Sequence, residues 1–319
     1  MRAVVVNAPG ETPVLADFPD PEPQGGREPR DLVGAGLHNV VRGLASGRHY
    51  GSTGTYPLVP GIDAVARTGD GRLVYTGFAM PPRGTMAERL IAPFEVELEQ
   101  GVDPLAVAAG MNPGMSGWMV LAARRREKSD LGDVLVLGAT GMSGRMAVQA
   151  ALALGASRVI AAGRDAQELE RLGALGAVTV SLGDSDPDKM AAALGAVVAE
   201  APPALVLDFL WGPVAEAAFA ALGRTGGQDE GAETAYVQIG SVAGQEAQLP
   251  AALLRSRRLH ISGSGAGSVS KEETLGEVPE VIARIADGTL EVPYTAYPLS
   301  RAGEAWAHTG RTRAVIVPD

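Results

Sequence analysis

The chain has 319 residues, enough for two domains of ordinary size, and 46% of them are hydrophobic, which supplies a sizeable core. A formal net charge of −10 argues against a general binder of nucleic acid or of anionic membrane, both of which attract basic surfaces. Cysteine is absent, so disulfides, thiolate nucleophiles and cysteine-ligated zinc are excluded.

The opening segment, MRAVVVNAPG, has an apolar run too short for a signal peptide, and no stretch is long enough to span a bilayer. A cytoplasmic location is expected. Arg2 to Val6 reads as a strand, and Pro19 to Pro29 as a Pro/Gly-rich surface loop. Asp31 to Leu37 begins a second apolar stretch, and Gly47 to Pro60 is again rich in glycine and proline. Ala64 to Ala66 and Leu73 to Phe78 alternate as short antiparallel strands do. The first hundred residues thus read as a β-rich, strongly turned domain. After Asp103 the pattern turns helical. Asp103-Pro104 puts proline at the first helical position, and Asn112-Pro113 repeats that device before a second helix, Gly114 to Ala123.

Asp133 to Asp165 is the most informative stretch. Val134 to Leu137 is a buried parallel strand by its length and Val/Leu content. Gly138, Gly141 and Gly144 follow at three-residue intervals. Met146 to Leu154 is helix-forming, Gly155 is positioned to end that helix, and Arg158 to Ala162 is the next strand. A strand, glycine turn, helix and strand in this order bring backbone N–H groups and a helix N-terminus to a pyrophosphate. The match is to GxxGxxG, with Ala139 where the GxGxxG fingerprint has its first glycine. The alternative is a glycine turn that binds no dinucleotide.

The second strand ends Ala161-Ala162-Gly163-Arg164-Asp165. Gly163 stands where an NAD site carries an acid for the ribose 2′-hydroxyl, and Arg164 can fork onto a 2′-phosphate. Asp165 either binds the ribose or, with Glu168 three residues on, makes a capping box for the helical run Leu169 to Leu175. Capping is the better use, so NADPH is expected over NADH. Further strands at Ala204 to Phe209, Ala235 to Ile239 and Leu259 to Ser262 are separated by helix-sized segments, the rhythm of a doubly wound sheet. Beyond Gly267 come a helix (Leu275 to Asp287), a strand (Val292 to Tyr297), a short helix (Ala302 to His308) and a last strand (Ala314 to Val317). This tail is expected to return to the first domain.

In order along the chain, MRAVVVNAPG, LVPGIDAVA, GRLVY, GTMAERLIAP, MNPGMSGWMVL, VLVLGATGMSG, AAGRD, LDFLWG, VQIGS and LRSRRLHISGSG resemble the zinc-free, quinone-oxidoreductase-like branch of the medium-chain dehydrogenases/reductases. The resemblance covers essentially the whole chain. It implies an α/β protein in which a GroES-like β-rich catalytic domain, residues 1–115 and 267–319, is interrupted by a Rossmann NADPH-binding domain with a doubly wound parallel sheet, residues 116–266. The active site is expected in the cleft between the domains. The implied activity is metal-free hydride transfer from NADPH to a quinone or an α,β-unsaturated carbonyl (an ene reductase), in a homodimer paired through Leu259 to Ser262.

The turn and the resemblance together give the expected cofactor contacts: Ser116, Gly138, Ala139, Thr140, Gly141, Met142, Ser143, Gly144, Gly163, Arg164, Asp208, Ile239, Gly240 and Ser241. For Asp208, facing the nicotinamide ribose and making a strand-end turn are equally open. The resemblance makes Leu37 to Tyr50 the substrate-lining segment, with His38 at a position where relatives carry Asn, and Asn39 beside it. Relatives carry tyrosines where this chain has Gly43 and His49, which leaves His49 or Tyr50 as the catalytic donor, or both as packing residues. Two other readings are a non-catalytic NADPH-binding redox sensor, and an alcohol dehydrogenase with a metal held by His38, His49 and Asp63. No closely spaced ligand pair supports the second, and no metal is expected.

Overall fold

In the structure, a computed structural model, residues 1–184, 186–199, 201–224 and 232–319 are described. They divide into two units, Met1–Asn112 with Val278–Asp319, and Pro113–Glu277. The resemblance sets the divisions at 115/116 and 266/267. Here they fall at 112/113 and 277/278, each inside a helix.

The first unit begins with β1 (Arg2–Val5) and β2 (Val14–Asp17), an antiparallel pair. It continues through β3 (Arg30–Gly36), α1 (Asn39–Ala45), β4 (Asp63–Arg67), β5 (Leu73–Gly77), β6 (Arg89–Leu90), β7 (Glu95–Glu97) and the start of α2 (Pro104–Glu127). Pro104 opens α2 as its sequence suggests, with Asp103 Oδ1 accepting from the amides of Leu105 (2.9 Å) and Ala106 (3.3 Å). The helix does not restart at Asn112-Pro113. It is one helix of 24 residues with Pro113 inside it. Proline forfeits one backbone hydrogen bond there. The flanking Val107 to Met111 and Leu121 are fully buried, and that packing holds the helix together across the gap.

The second unit alternates strand and helix: β8 (Asp133–Leu137), α3 (Met142–Ala153), β9 (Arg158–Gly163), α4 (Ala166–Ala174), β10 (Val178–Ser181), α5 (Pro187–Val198), β11 (Leu205–Asp208), α6 (Gly212–Arg224), β12 (Glu233–Gln238), α7 (Ala251–Ser256) and β13 (Arg258–Gly263). All six strands pair in parallel in the order β10-β9-β8-β11-β12-β13, the strand order of a dinucleotide-binding doubly wound sheet. Val134, Leu135, Val136 and Leu137 are all buried, as a central strand covered on both faces must be. Gly155 ends α3 in the left-handed conformation (φ 78°), its amide on the Leu152 carbonyl.

The chain then runs through α8 (Lys271–Ala286), β14 (Tyr294–Pro298), α9 (Ala302–Trp306) and β15 (Arg313–Val317). β15 pairs antiparallel with β3, joining Val315 to Gly36 and Ile316 to Ala35, so the tail does return to the first unit. The resulting seven-stranded sheet runs β14-β15-β3-β4-β5-β7, with β6 beside β3. Its core gathers Val4, Leu37, Ala64, Met86, Leu90, Leu299 and Ile316. No helix among the described residues is long and apolar enough to cross a membrane.

Candidate functional site

The glycine turn joins β8 to α3. Gly138 takes φ 91°, and its amide and that of Ala139 both bond the Ala162 carbonyl (2.9 Å each), which fastens the turn to β9. The methyl of Ala139 is fully buried, so the substitution at the fingerprint's first position fills protein space. A Cβ at Gly144 would lie 2.2 Å from the Gly138 carbonyl oxygen, so close packing of helix on turn requires glycine there. Gly141 is different. A Cβ there would make only an ordinary 3.5 Å contact with the Gly138 oxygen, so the protein's own packing does not demand glycine. Gly141 is the N-cap of α3 and offers no side-chain acceptor. The first-turn amides of Met142, Ser143 and Gly144 therefore meet no cap, at the positive end of a helix dipole. An uncapped helix start with a bare Gly141 fits a pyrophosphate.

At the end of β9, Asp165 caps α4. Its Oδ1 accepts from the Glu168 amide at 3.1 Å. Glu168 itself is buried and faces the Arg145 guanidinium at 3.6 Å. Arg164 is exposed and makes no ion pair or hydrogen bond with the described residues. A Cβ at Gly163 would stand 2.5 Å from Thr140 Cγ2, so the turn's threonine occupies the space an acidic side chain would need.

Asp208, the last residue of β11, is fully buried. Its Oδ1 accepts from the amides of Leu210 (2.8 Å) and Trp211 (2.9 Å), and its Oδ2 from the Tyr236 hydroxyl (2.6 Å). Of the two uses open from the sequence, the structure gives it the strand-end turn. An Asp208 contact with a cofactor is corrected, because both oxygens are taken and sealed from solvent. Burial pushes the Asp208 carboxyl above its ordinary value, against the downward pull of those hydrogen bonds. Burial and the neighbouring Asp208 raise the Tyr236 phenol well above its own. Tyr236 was not singled out from the sequence, although a tyrosine inside a buried strand needs a partner for its hydroxyl, which is a readable signal. Ile239, Gly240 and Ser241 follow β12 and are half-buried, with the amides of Ile239 and Gly240 on the Asp208 carbonyl (2.7 and 3.1 Å). Ser116 on α2 donates its hydroxyl to the Pro113 carbonyl at 2.6 Å, and Gly117 beside it lets α2 close on Ala147 of α3.

In the first unit, His38 does not lie open for a substrate. It is 1% exposed, and its Nε2 is 2.9 Å from Asp63 Oδ1. The Tyr75 hydroxyl donates to Asp63 Oδ2 at 3.2 Å. Burial, then Asp63, pushes the Tyr75 phenol well above its ordinary value. His38 Nδ1 is buried without a hydrogen-bond partner among the described residues. Asn39, the first residue of α1, is exposed. His49 and Tyr50 lie on the following loop with rings 4.2 Å apart, and Tyr50 is 75% exposed. The Gly51 amide donates to His49 Nδ1 at 3.0 Å, which puts the proton of the neutral ring on Nε2. Partial burial holds the His49 imidazole below its ordinary value, favouring that neutral form. His38 and Asp63 bond each other while His49 bonds its own loop. Among the described residues, no three His, Cys, Asp or Glu side chains are grouped to hold a metal ion.

No family model matches the chain. A protein of Emericella nidulans described as a probable NADPH-dependent quinone reductase is 28% identical over 349 aligned positions, covering 96% of each chain. A mycobacterial quinone oxidoreductase superposes with a TM-score of 0.81 at 20% identity, over 100% of both chains. The quinone oxidoreductase of Thermus thermophilus, whose structures include an NADPH complex, superposes with a TM-score of 0.77 at 24% identity, over 99% of this chain and 100% of that one. The fold is that of the medium-chain dehydrogenases/reductases, and over nearly its whole length the chain resembles their quinone-oxidoreductase-like branch.

Proposed function

We propose that the protein is an NADPH-dependent reductase whose acceptor is a quinone or an α,β-unsaturated carbonyl. The observation that carries this is the pairing of an uncapped α3 N-terminus at Gly141 with an exposed Arg164 that has no partner among the described residues, while Asp165 caps α4. The amides of Met142, Ser143 and Gly144 would hold the pyrophosphate, and Arg164 the 2′-phosphate. Thr140, Ser116, Ile239, Gly240 and Ser241 would line the rest of the dinucleotide. When bound, NADPH supplies the hydride. The chain's own contribution is to hold the acceptor's carbonyl oxygen with hydrogen-bond donors and to exclude water. His49 Nε2–H, the Tyr50 hydroxyl and the exposed Asn39 amide would serve as donors from the first unit. His38 is committed through Nε2 to Asp63, so its part is to fix the base of the loop segment.

The reading includes a cytoplasmic homodimer. Among the described residues β13 ends its sheet and pairs with β12 alone, which leaves its other edge open to a second copy. The test is oxidation of NADPH, beside NADH, by metal-free protein with benzoquinone and a panel of small enones. NADPH-selective turnover is expected, and the preferred acceptor names the substrate class. Saturable NADPH binding with no turnover on any acceptor would instead favour the non-catalytic redox sensor. Activity that needs an added metal would favour the alcohol dehydrogenase.

A further inference from the structure

We propose that Asp208, Tyr236 and Trp211 form a staple that sets the nicotinamide-side half of the nucleotide site, so that all three are positioning residues for one end of the dinucleotide. This rests on the dinucleotide reading above. Among the described non-glycine residues only Phe78 and Trp211 have positive φ, and Trp211 (58°) is followed directly by Gly212 (57°). A bulky aromatic in the left-handed region is a genuine outlier that persists only where surrounding contacts over-determine it. Here they do. Asp208 Oδ1 takes both turn amides, Leu210 and Trp211. The Trp211 ring stands edge-on to Phe219 (6.0 Å, 83°) and to Tyr236 (6.3 Å, 68°), and Tyr236 returns its hydroxyl to Asp208 Oδ2.

The tight turn interlocks three strand-end loops. The Leu210 carbonyl accepts from the Ala243 amide at 2.8 Å. A Cβ at Gly240 would stand 2.7 Å from the Phe209 oxygen, and one at Gly212 would stand 2.8 Å from Gly244 Cα. On the other side, a Cβ at Gly138 would meet Leu210 Cγ at 3.0 Å. The loops after β8, β11 and β12 are therefore one packed body built around the Asp208 carboxylate. In a doubly wound sheet each half serves one mononucleotide, and the ligand lies across the carboxyl ends of the strands. Arg164 stands on the half with β9, while the staple stands on the half with β11 and β12. Loosening the staple should weaken the ligand's nicotinamide end and leave its adenosine end alone.

The test compares binding of NADPH and of 2′,5′-ADP, which carries the adenosine end with its 2′-phosphate, to the intact chain, to Tyr236→Phe and to Asp208→Asn. In Tyr236→Phe the Asp208 Oδ2 is left buried and unpaired, so the NADPH dissociation constant is expected to rise about tenfold while that for 2′,5′-ADP stays within about twofold. Asp208→Asn keeps an oxygen for the two amides and an N–H for the Tyr236 hydroxyl, so it should show the same selectivity to a smaller degree, and it carries the test if Tyr236→Phe does not fold. Equal weakening of both ligands in a folded variant would mean general loosening and would overturn the proposal, as would no change in either. If the unaltered chain binds neither ligand, the dinucleotide reading itself fails, and the staple's role fails with it.

Discussion

Gly163 and Thr140 touch where β9 ends. A Cβ at Gly163 would lie 2.5 Å from Thr140 Cγ2 and 2.7 Å from its Oγ1. An acid at 163, which would serve a ribose 2′-hydroxyl, is thus barred by the nucleotide turn itself. Gly163→Asp alone is expected to weaken NADPH binding at least about tenfold, through like-charge repulsion of the 2′-phosphate, without creating an NADH site. Pairing it with Thr140→Gly opens the space and should give NADH binding that the single variant lacks. Fluorescence titration with both cofactors checks this, and tight NADH binding by Gly163→Asp alone would show that Thr140 does not bar the acid.

Arg164 has no ion-pair or hydrogen-bond partner among the described residues, so its removal reads the ligand contact directly. Arg164→Ala should cost about 1.5–3 kcal/mol of NADPH binding, the worth of a charge-assisted hydrogen bond, and leave any NADH binding and the melting temperature unchanged. Isothermal titration beside a thermal melt separates these outcomes. A melting temperature that falls in step with affinity would argue for a structural Arg164.

Asp165 is assigned to the α4 cap through its 3.1 Å bond from the Glu168 amide. Asp165→Ala should therefore lower stability by about 1 kcal/mol, the usual value of a lost N-cap, with the preference for NADPH intact. Urea unfolding measures the first and relative KM values the second. A switch in cofactor preference would return Asp165 to the ribose.

Much of this site was legible because its signals are local. A four-residue apolar run, glycines at intervals of three, and an acid three residues before Glu168 each act within one turn of chain. What the sequence does not reveal depends on distant partners. His38 meets Asp63 across 25 residues, and Asp208 meets Tyr236 across 28. α1 is too short, and with Val40, Val41 and Gly43 too poor in helix formers, to announce itself; burial of Val41 and Ala45 makes it. Pro113 is a strong local stop signal that tertiary packing of α2 overrides.

The His38–Asp63 pair is sealed, with side chains 1% and 3% exposed. Removing one partner leaves the other polar group without solvent. Asp63→Ala should destabilise the protein by about 3 kcal/mol, whereas Asp63→Asn, which keeps an acceptor for His38 Nε2, should cost about half that. Denaturant melts of both variants test this, and equal losses would mean that the charge rather than the hydrogen bond holds His38.

Hydride transfer from NADPH to a carbonyl-activated acceptor can be followed with an isotope. NADPH carrying deuterium at both C4 positions would be turned over with a small enone and the product weighed. A product one mass unit heavier, with the deuterium on the β-carbon and little formed from labelled NADH, is the predicted result. Reduced product without deuterium, or no product despite saturating NADPH, would contradict it.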